Sequence, residues 1–279
     1  MKLATYDDGS RDGQLIVVSR DLAQAHYATG IATRLQQVLD DWGFLSPQLE
    51  DLGTQLNHGR LRHAFNFELQ KCRAPLPRAF GFAVGWASAD AVGLTRGGSD
   101  DFLGAMDAAR FGSEAMAIGC LPGVAAITGD VAQGVSPAQA LDGVRLLMLV
   151  ADWRLTAVQS GAVHSHAATA FGPVAVTPDE LGVAWRGGRV ELNLQAMRNG
   201  RKLTPAPDAA PLAPFGSLIA GLATTRRLRA GQLIGALGGP VSSNPLKFGD
   251  SIRIDIKAAD GLSVFGAIDQ DITSNQGHS

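Results

Sequence analysis

The chain has 279 residues, of which 46% are hydrophobic and 18% charged, so its composition is that of a globular protein and not of a disordered one. The formal net charge of −2 is scattered without a basic stripe, which argues against a nucleic-acid partner. No apolar run reaches the roughly 18 residues of a membrane span, and the first residues lack the apolar core of a signal peptide. We therefore expect a cytoplasmic protein with no membrane partner.

The first quarter of the chain predicts a small α/β unit. Its predicted elements are a strand at residues 14–19, a helix over 31–42 and a second helix from the Ser46-Pro47 pair to about Asn57. A proline-containing segment at residues 73–77 then breaks the pattern. We predict a small N-terminal domain over residues 1–73 and a second domain over residues 74–279.

The rest of the chain reads mainly as strands between turn signals. Strands are predicted at residues 114–118, 124–127, 172–176, 190–197, 251–257 and 263–268. Helices are predicted from the Ser136 cap to about Val150 and over residues 214–225, with an exposed loop at 205–214. This mixture predicts an α+β fold dominated by mostly antiparallel sheets. The two cysteines, Cys72 and Cys120, form no CxxC pair and are expected to be free thiols.

Six segments in a fixed order carry a resemblance. They are GGSDDFLG (97–104), AITGDV (126–131), LLMLVADW (146–153), ATAFGPVAVTPDEL (168–181), LKFGD (246–250) and FGAIDQ (265–270). As a set, they resemble the fumarylacetoacetate hydrolase family, in its bacterial branch similar to fumarylpyruvate and acylpyruvate hydrolases. The resemblance implies a fumarylacetoacetate-hydrolase-like mixed β-sandwich roll, often dimeric, behind a small N-terminal α/β domain.

The resemblance also implies a metal site that this chain has mostly lost. Family members cleave a C–C bond of a β-diketo acid with Mg²⁺ or Ca²⁺, which an Asp, a Glu-x-Glu pair and a second Asp hold. A His serves as general base and a Lys stabilises the oxyanion. Position by position, these residues fall on Val84 (first Asp), Ala91 (His), Leu121-Pro122-Gly123 (Glu-x-Glu), Asp152 (second Asp) and His166 (Lys). Only Asp152 is retained, so we expect no metal and no cofactor.

The candidate catalytic residues are Asp152, His164 and His166. The two histidines stand at i and i+2, so an extended chain would place them on one face. Three interpretations stay open: acid/base chemistry near the former Lys position, a transition-metal site with Asp152, and a plain polar loop. If the pocket is functional, the Asp152 carboxylate and the His166 ring should lie within direct or one-water hydrogen-bond reach.

A second group of residues could bind the substrate. Gln159 matches a family substrate-contact position, while Trp86, Val84, Leu121 and Trp153 could line an apolar pocket. The alternative is that these apolar side chains fill the vacated metal cavity as core. Trp86 stands between two former catalytic positions, where family members carry a small residue.

Two classes of function follow from the resemblance. In the first, the chain is a metal-independent lyase, isomerase or cyclase that acts by acid/base chemistry on a small oxo- or polyketide-like compound of secondary metabolism. In the second, it is a pseudoenzyme that binds a ligand or a protein partner. Residual C–C hydrolase activity is a third hypothesis. A small-molecule ligand and a homodimer are expected in each case.

Overall fold

The computed structural model describes residues 1–87, 92–158, 166–203 and 212–275, and these form an α+β structure dominated by sheets, as predicted. Its helices are α1 (Leu35–Asp40), α2 (Trp42–Asn57), α3 (Pro137–Ala140) and α4 (Phe215–Ala223). Its strands are β1 (Lys2–Tyr6), β2 (Gln14–Val18), β3 (Gln24–Tyr27), β4 (Phe65–Asn66), β5 (Gly81–Ala87), β6 (Val92–Gly97), β7 (Ala109–Phe111), β8 (Ile118–Thr128), β9 (Val144–Leu155), β10 (His166–Phe171), β11 (Val174–Val176), β12 (Trp185–Arg186), β13 (Arg189–Val190), β14 (Leu194–Arg198), β15 (Arg201–Lys202), β16 (Gln232–Leu237), β17 (Ser251–Ile256) and β18 (Ile268–Ser274).

Two sheets contain most of the described strands. The larger follows the order β4-β3-β2-β1-β11-β9-β8-β16-β5-β6, and β10 also pairs with β9. The smaller follows the order β15-β14-β17-β18-β7. Among the described pairs, β16 with β5 and β18 with β7 are parallel, and the rest are antiparallel. The chain thus folds as two packed layers around the long β8–β9 pair.

The β8–β9 pair is buried on both of its faces. Successive strand residues point to opposite faces, and here each face packs against its own core. The α1/α2 face of the larger sheet carries Phe82, Val84, Met148, Val150 and Phe171, together with residues of α1 and α2. The small-sheet face carries Leu147, Leu149, Trp153, residues of α4 and residues of the smaller sheet. We keep these two names below.

The predicted helix over 137–150 is wrong beyond its first turn. The Ser136 cap is real, since its hydroxyl accepts a hydrogen bond from the Gln139 N–H, but α3 ends at Ala140. Residues from Val144 onward form β9, a 12-residue strand. An apolar run that is buried on both faces has no alternation to distinguish a strand from a buried helix.

Three other predicted boundaries differ from the structure. Helix α2 begins at Trp42, so Ser46 is a buried helix residue and Pro47 lies inside the helix. A 3₁₀ turn, Glu114–Met116, replaces the start of the strand predicted at 114–118, and the strand predicted at 263–268 begins only at Ile268. The loop predicted at 205–214 lies almost wholly outside the described residues.

The N-terminal unit extends the larger sheet. Strand β1 pairs with β2 and also with β11, where Lys2 stands opposite Val176. The domain boundary at residue 73 stays a prediction, because strands from both sides of it lie in the same sheet. None of the described helices is both long and apolar enough to cross a membrane.

Candidate functional site

The end of β9 places two charged residues on one face. Asp152 and Arg154 stand at i and i+2 and so point to the α1/α2 face, whereas Trp153 between them points to the small-sheet face. Across the ladder to β10, Arg154 stands opposite His166 and Asp152 stands opposite Thr169. Pairing of β9 with β10 thus brings four polar side chains together.

The Asp152 carboxylate is fully buried and is the centre of this group. Its Oδ1 lies 3.4 Å from His166 Nδ1 and accepts a 3.1 Å hydrogen bond from the Thr169 hydroxyl. Its Oδ2 accepts a very short hydrogen bond from Arg154 Nε. The expected proximity of Asp152 and His166 is therefore observed, and a guanidinium that the sequence analysis did not consider completes the group.

Two side chains of this group have nitrogen atoms without a described partner. The His166 side chain is 5% exposed, and its Nε2 is buried with no hydrogen-bond partner. The Arg154 side chain is 17% exposed, and among the described residues the hydrogen bond of its guanidinium to Asp152 uses Nε, not the two terminal nitrogens. A buried polar atom left unpaired costs about 1–3 kcal/mol, so this arrangement calls for an explanation.

The predicted apolar pocket residues do not act as one group. Val84 is fully buried in the core of the α1/α2 face, next to the Phe82 ring. Leu121 is half-buried and stands opposite Asp152 in the β8–β9 ladder. Trp86 is 48% exposed, and its indole lies over Gly93 of β6, where any Cβ would overlap the ring. Val84 is thus a core residue, while Leu121 lies beside Asp152 at the edge of that core.

Trp153 lies on the small-sheet face, away from Val84 and Leu121. Its ring is fully buried against Phe111, with ring centroids 5.6 Å apart, and its indole N–H donates a 2.9 Å hydrogen bond to Gln270. Gln270 in turn donates to backbone carbonyls of Gly104 and Asp107. The expectation that Trp153 shares a pocket with Val84 is therefore corrected. Trp153 belongs to the core of the small-sheet face and Val84 to the core of the α1/α2 face, and the sheet separates the two.

Other predicted residues lie outside or away from the described site. His164, Gln159 and Ala91 fall outside the described residues. Cys120 is a free buried thiol on the small-sheet face, and burial, with a contribution from the Asp152 charge, raises its pKa above the ordinary range. Four cavities of about 410–590 Å³ are lined by described residues elsewhere, and none of these four is lined by Asp152, Arg154 or His166.

The described residues do not fit the divalent metal that the resemblance implies. Both Asp152 oxygens already accept hydrogen bonds, one of them from a positively charged guanidinium that would repel a metal ion. Leu121 and Gly123 stand where the resemblance places the Glu-x-Glu pair, and a Cβ at Gly123 would overlap the carbonyl oxygen of Ala236. No group of three His, Cys, Asp or Glu side chains that could hold a metal occurs among the described residues. Hard divalent cations need several oxygen ligands, so no step below is derived through a metal.

Comparison with protein families settles the ancestry. Residues 1–78 match the model described as fumarylacetoacetase N-terminal domain 2, and residues 113–273 match that described as fumarylacetoacetate (FAA) hydrolase C-terminal. The chain belongs to the fumarylacetoacetate hydrolase family. The resemblance drawn from the six sequence segments is thereby confirmed. Comparison with curated protein sequences found no match.

Solved structures of this family share the fold at low sequence identity. Maleylpyruvate hydrolase from Sphingobium sp. SYK-6, in complex with manganese(II) and pyruvate, is 18% identical with a TM-score of 0.73. A probable 2-hydroxyhepta-2,4-diene-1,7-dioate isomerase from Mycobacterium abscessus is 16% identical, and the fumarylacetoacetate hydrolase from Exiguobacterium antarcticum is 14% identical, each with a TM-score of 0.73. Each likeness covers 99% of this chain and 100% of the other. At these identities the likeness establishes the fold alone.

Two residues of the site were missed by the sequence analysis. Arg154 was overlooked because residues up to Val150 were interpreted as a helix, which hid the strand alternation that puts Arg154 beside Asp152. Thr169 lies inside the recognised segment 168–181, but its contact with Asp152 depends on the β9–β10 register. A strand assignment for β9 would have predicted Arg154.

Proposed function

We propose that this chain is a metal-independent enzyme that acts on a small oxo compound by proton transfer, as a lyase, isomerase or cyclase. The observation that carries the proposal is the buried Nε2 of His166, which has no partner among the described residues and whose other ring nitrogen faces the buried Asp152 carboxylate. A carboxylate that accepts from Nδ1–H fixes the tautomer in which Nε2 holds a lone pair. His166 Nε2 is then the atom that takes and returns a proton.

Each residue of the group has a separate role in this proposal. Asp152 orients the imidazole and stabilises it while it holds a proton. Thr169 keeps the carboxylate in place through its hydrogen bond to Oδ1. Arg154 supplies a fixed positive charge beside the reacting atoms. His164, which lies outside the described residues, remains a proposed second acid/base residue, and Gln159 and Trp86 remain proposed substrate contacts.

The reaction class can be tested before the substrate is known. Proton abstraction next to a carbonyl exchanges that hydrogen for deuterium in D₂O, which ¹H NMR detects on a panel of 2-oxo acids and 1,3-diketones. We expect exchange above the buffer rate with excess EDTA present, and its loss in His166→Gln. His58→Gln, which changes an exposed histidine at the end of α2, is the matched control and should leave exchange unchanged.

A ligand-binding pseudoenzyme is the second candidate. Complete burial of Val84 and the packing of the Phe82, Phe102 and Phe171 rings against one another favour it, because part of the ancestral cavity is core. Binding of a panel compound without exchange in any member of the panel would support this candidate. Residual hydrolase activity would instead show as metal-dependent cleavage of acetylpyruvate above about one turnover per second.

We also propose a homodimer and a small-molecule ligand, with no nucleic-acid or membrane partner. Several exposed large apolar side chains support an assembly, among them Phe44, Phe80 and Val183. Light scattering of the purified chain tests the dimer, and a mass of one chain at micromolar concentration would exclude it.

A further inference from the structure

A positively charged side chain lies beside Asp152, the one family metal ligand that the resemblance finds in this chain. A metal-binding carboxylate keeps its lone pairs for the cation, yet in this chain Arg154 Nε donates to Asp152 Oδ2. The guanidinium comes from the same strand, two residues further on, and is held there by the β9–β10 ladder. The positive charge at this carboxylate thus belongs to an arginine side chain of the protein and not to a metal ion.

We infer that the Arg154 guanidinium takes the place of the divalent cation and forms, next to His166 Nε2, a metal-free binding site for the carboxylate or enolate oxygen of a small oxo acid. The purpose of this site rests on the proposed function, whereas the kind of ligand is inferred from the geometry. It differs from metal-assisted binding because the oxyanion is held by N–H donors of the chain alone.

Two independent observations point to a ligand here. The terminal nitrogens of Arg154 are not used in its hydrogen bond to Asp152, and a guanidinium is suited to bind a carboxylate through two parallel hydrogen bonds. His166 Nε2 is buried, on a side chain that is 5% exposed, and has no partner among the described residues. Since Arg154 and His166 are opposite each other in the β9–β10 ladder, the free donors of Arg154 and the lone pair of His166 Nε2 can serve one ligand.

The neighbouring residues on this side are apolar or have no side chain. Gly97 of β6 lies next to His166, and a Cβ there would stand 3.9 Å from His166 Nδ1 and 2.8 Å from the Phe82 ring. Leu121, opposite Asp152, is apolar. An oxyanion at this place meets one buried negative charge, that of Asp152, which pairs with Arg154.

The test is calorimetric titration of the full chain with pyruvate in excess EDTA, with methyl pyruvate as the matched probe that lacks the carboxylate. We expect pyruvate to bind and methyl pyruvate to bind about tenfold more weakly or worse, since a hydrogen bond to a charged group is worth that much. Equal affinity for the two probes, no binding of pyruvate, or binding that requires added Mn²⁺ would each overturn the inference.

Variants locate the site. Arg154→Gln should weaken pyruvate binding about tenfold or more, and Arg154→Lys should retain part of it, because lysine keeps the charge without the fork of donors. Arg253→Gln removes an exposed arginine that pairs with Asp269 and should change nothing. Unchanged affinity in a folded Arg154→Gln protein contradicts the inference; if that variant does not fold, the comparison of the two probes and Arg154→Lys decide.

The outcome separates this inference from the proposed function. Pyruvate binding in EDTA without hydrogen exchange in any panel compound leaves the anion site standing and removes the enzyme. Exchange that persists at the wild-type rate in Arg154→Gln, with unchanged pyruvate affinity, keeps the enzyme and removes the anion site.

Discussion

The two faces of β9 end in two buried polar networks that differ in one respect. On the small-sheet face, Trp153 donates to Gln270, and the Gln270 amide donates to two backbone carbonyls. On the α1/α2 face, Asp152 is satisfied, but His166 Nε2 is not. Both networks are enclosed in the same fold, so burial does not distinguish them. The two networks differ in whether every polar atom has a hydrogen-bond partner. A fully satisfied network stabilises the fold, whereas a network with an unpaired atom can bind a ligand.

Removal of Asp152 should have the largest effect on stability. Asp152→Ala leaves Arg154 and His166 without their shared partner in a site that is little exposed, and a broken buried ion pair costs about 3–5 kcal/mol. Urea denaturation followed by circular dichroism measures the free energy of unfolding. Asp269→Ala is the control, since its pair with Arg253 is exposed and worth at most about 1 kcal/mol. Equal losses in the two variants would contradict a buried ionic centre.

Opening the closed network on the other face should cost less. Trp153→Phe keeps an aromatic ring against Phe111 but leaves the Gln270 carbonyl oxygen unpaired, at a cost of about 1–3 kcal/mol. Pyruvate affinity should not change, because Trp153 faces away from Arg154. Trp185→Phe, at a half-buried tryptophan, controls for the smaller ring. A loss of pyruvate affinity in Trp153→Phe would show that the two faces are coupled.

The Cys120 thiol, on the small-sheet face, should make the free energy of unfolding depend on pH. Burial raises its pKa in the folded state, so the unfolded chain releases the proton first. The stability that the thiol contributes is complete below the ordinary thiol pKa of about 8.5 and is lost as pH rises above it, by about 1.4 kcal/mol per pH unit. Between about pH 7 and pH 9.5, Cys120→Ala should therefore lose about 1 kcal/mol less than the wild type.

Cys72→Ala tests the same argument at a second buried thiol. Burial also raises the pKa of Cys72, so this variant should flatten the pH profile by a similar amount. The comparison uses differences between variants because other groups titrate in parallel: burial lowers the pKa of Lys2, which opposes the trend. Parallel profiles for wild type and Cys120→Ala would mean that water reaches the thiol.

Strand β9 also shows how far the sequence alone could go. Six segments in a fixed order identified the family and predicted the α+β sheet architecture, and both are confirmed. The loss of the metal ligands at Leu121 and Gly123 stays a prediction. Periodicity could not reveal that residues 144–150 form a strand, because a strand covered on both faces shows no alternation. That one assignment decided whether Arg154 shared a face with Asp152.

Packing around Val84 lay further beyond reach. The sequence predicts an apolar residue at a family ligand position, but whether the Val84 side chain lines a cavity or fills it depends on how Phe82 and the rest of this core pack around it. The side of the sheet that Trp153 occupies depended in the same way on a strand assignment. Sequence motifs and their order predict the family and the residue types at a site. They do not predict how side chains from distant segments pack together.

Replacement of His166 should have the smallest effect on stability and a large effect on hydrogen exchange. His166→Leu removes a long 3.4 Å contact with Asp152, and it also removes from a buried position the Nε2 atom that lacks a partner among the described residues. Those two changes oppose each other, so the free energy of unfolding should stay within about 1 kcal/mol of the wild type. Hydrogen exchange in EDTA should nevertheless fall to the buffer rate.

Thr169→Val provides the sharpest control for this last prediction. Thr169 and His166 contact the same oxygen, Asp152 Oδ1, but His166 also has a second buried nitrogen that lacks a partner among the described residues. Thr169→Val should therefore lose about 1 kcal/mol of stability and keep its hydrogen exchange, the reverse of His166→Leu. If both variants lose stability equally and neither loses exchange, His166 is a structural residue like Trp153. The two faces of β9 would then differ only in how completely their hydrogen bonds are satisfied, and not in what they bind.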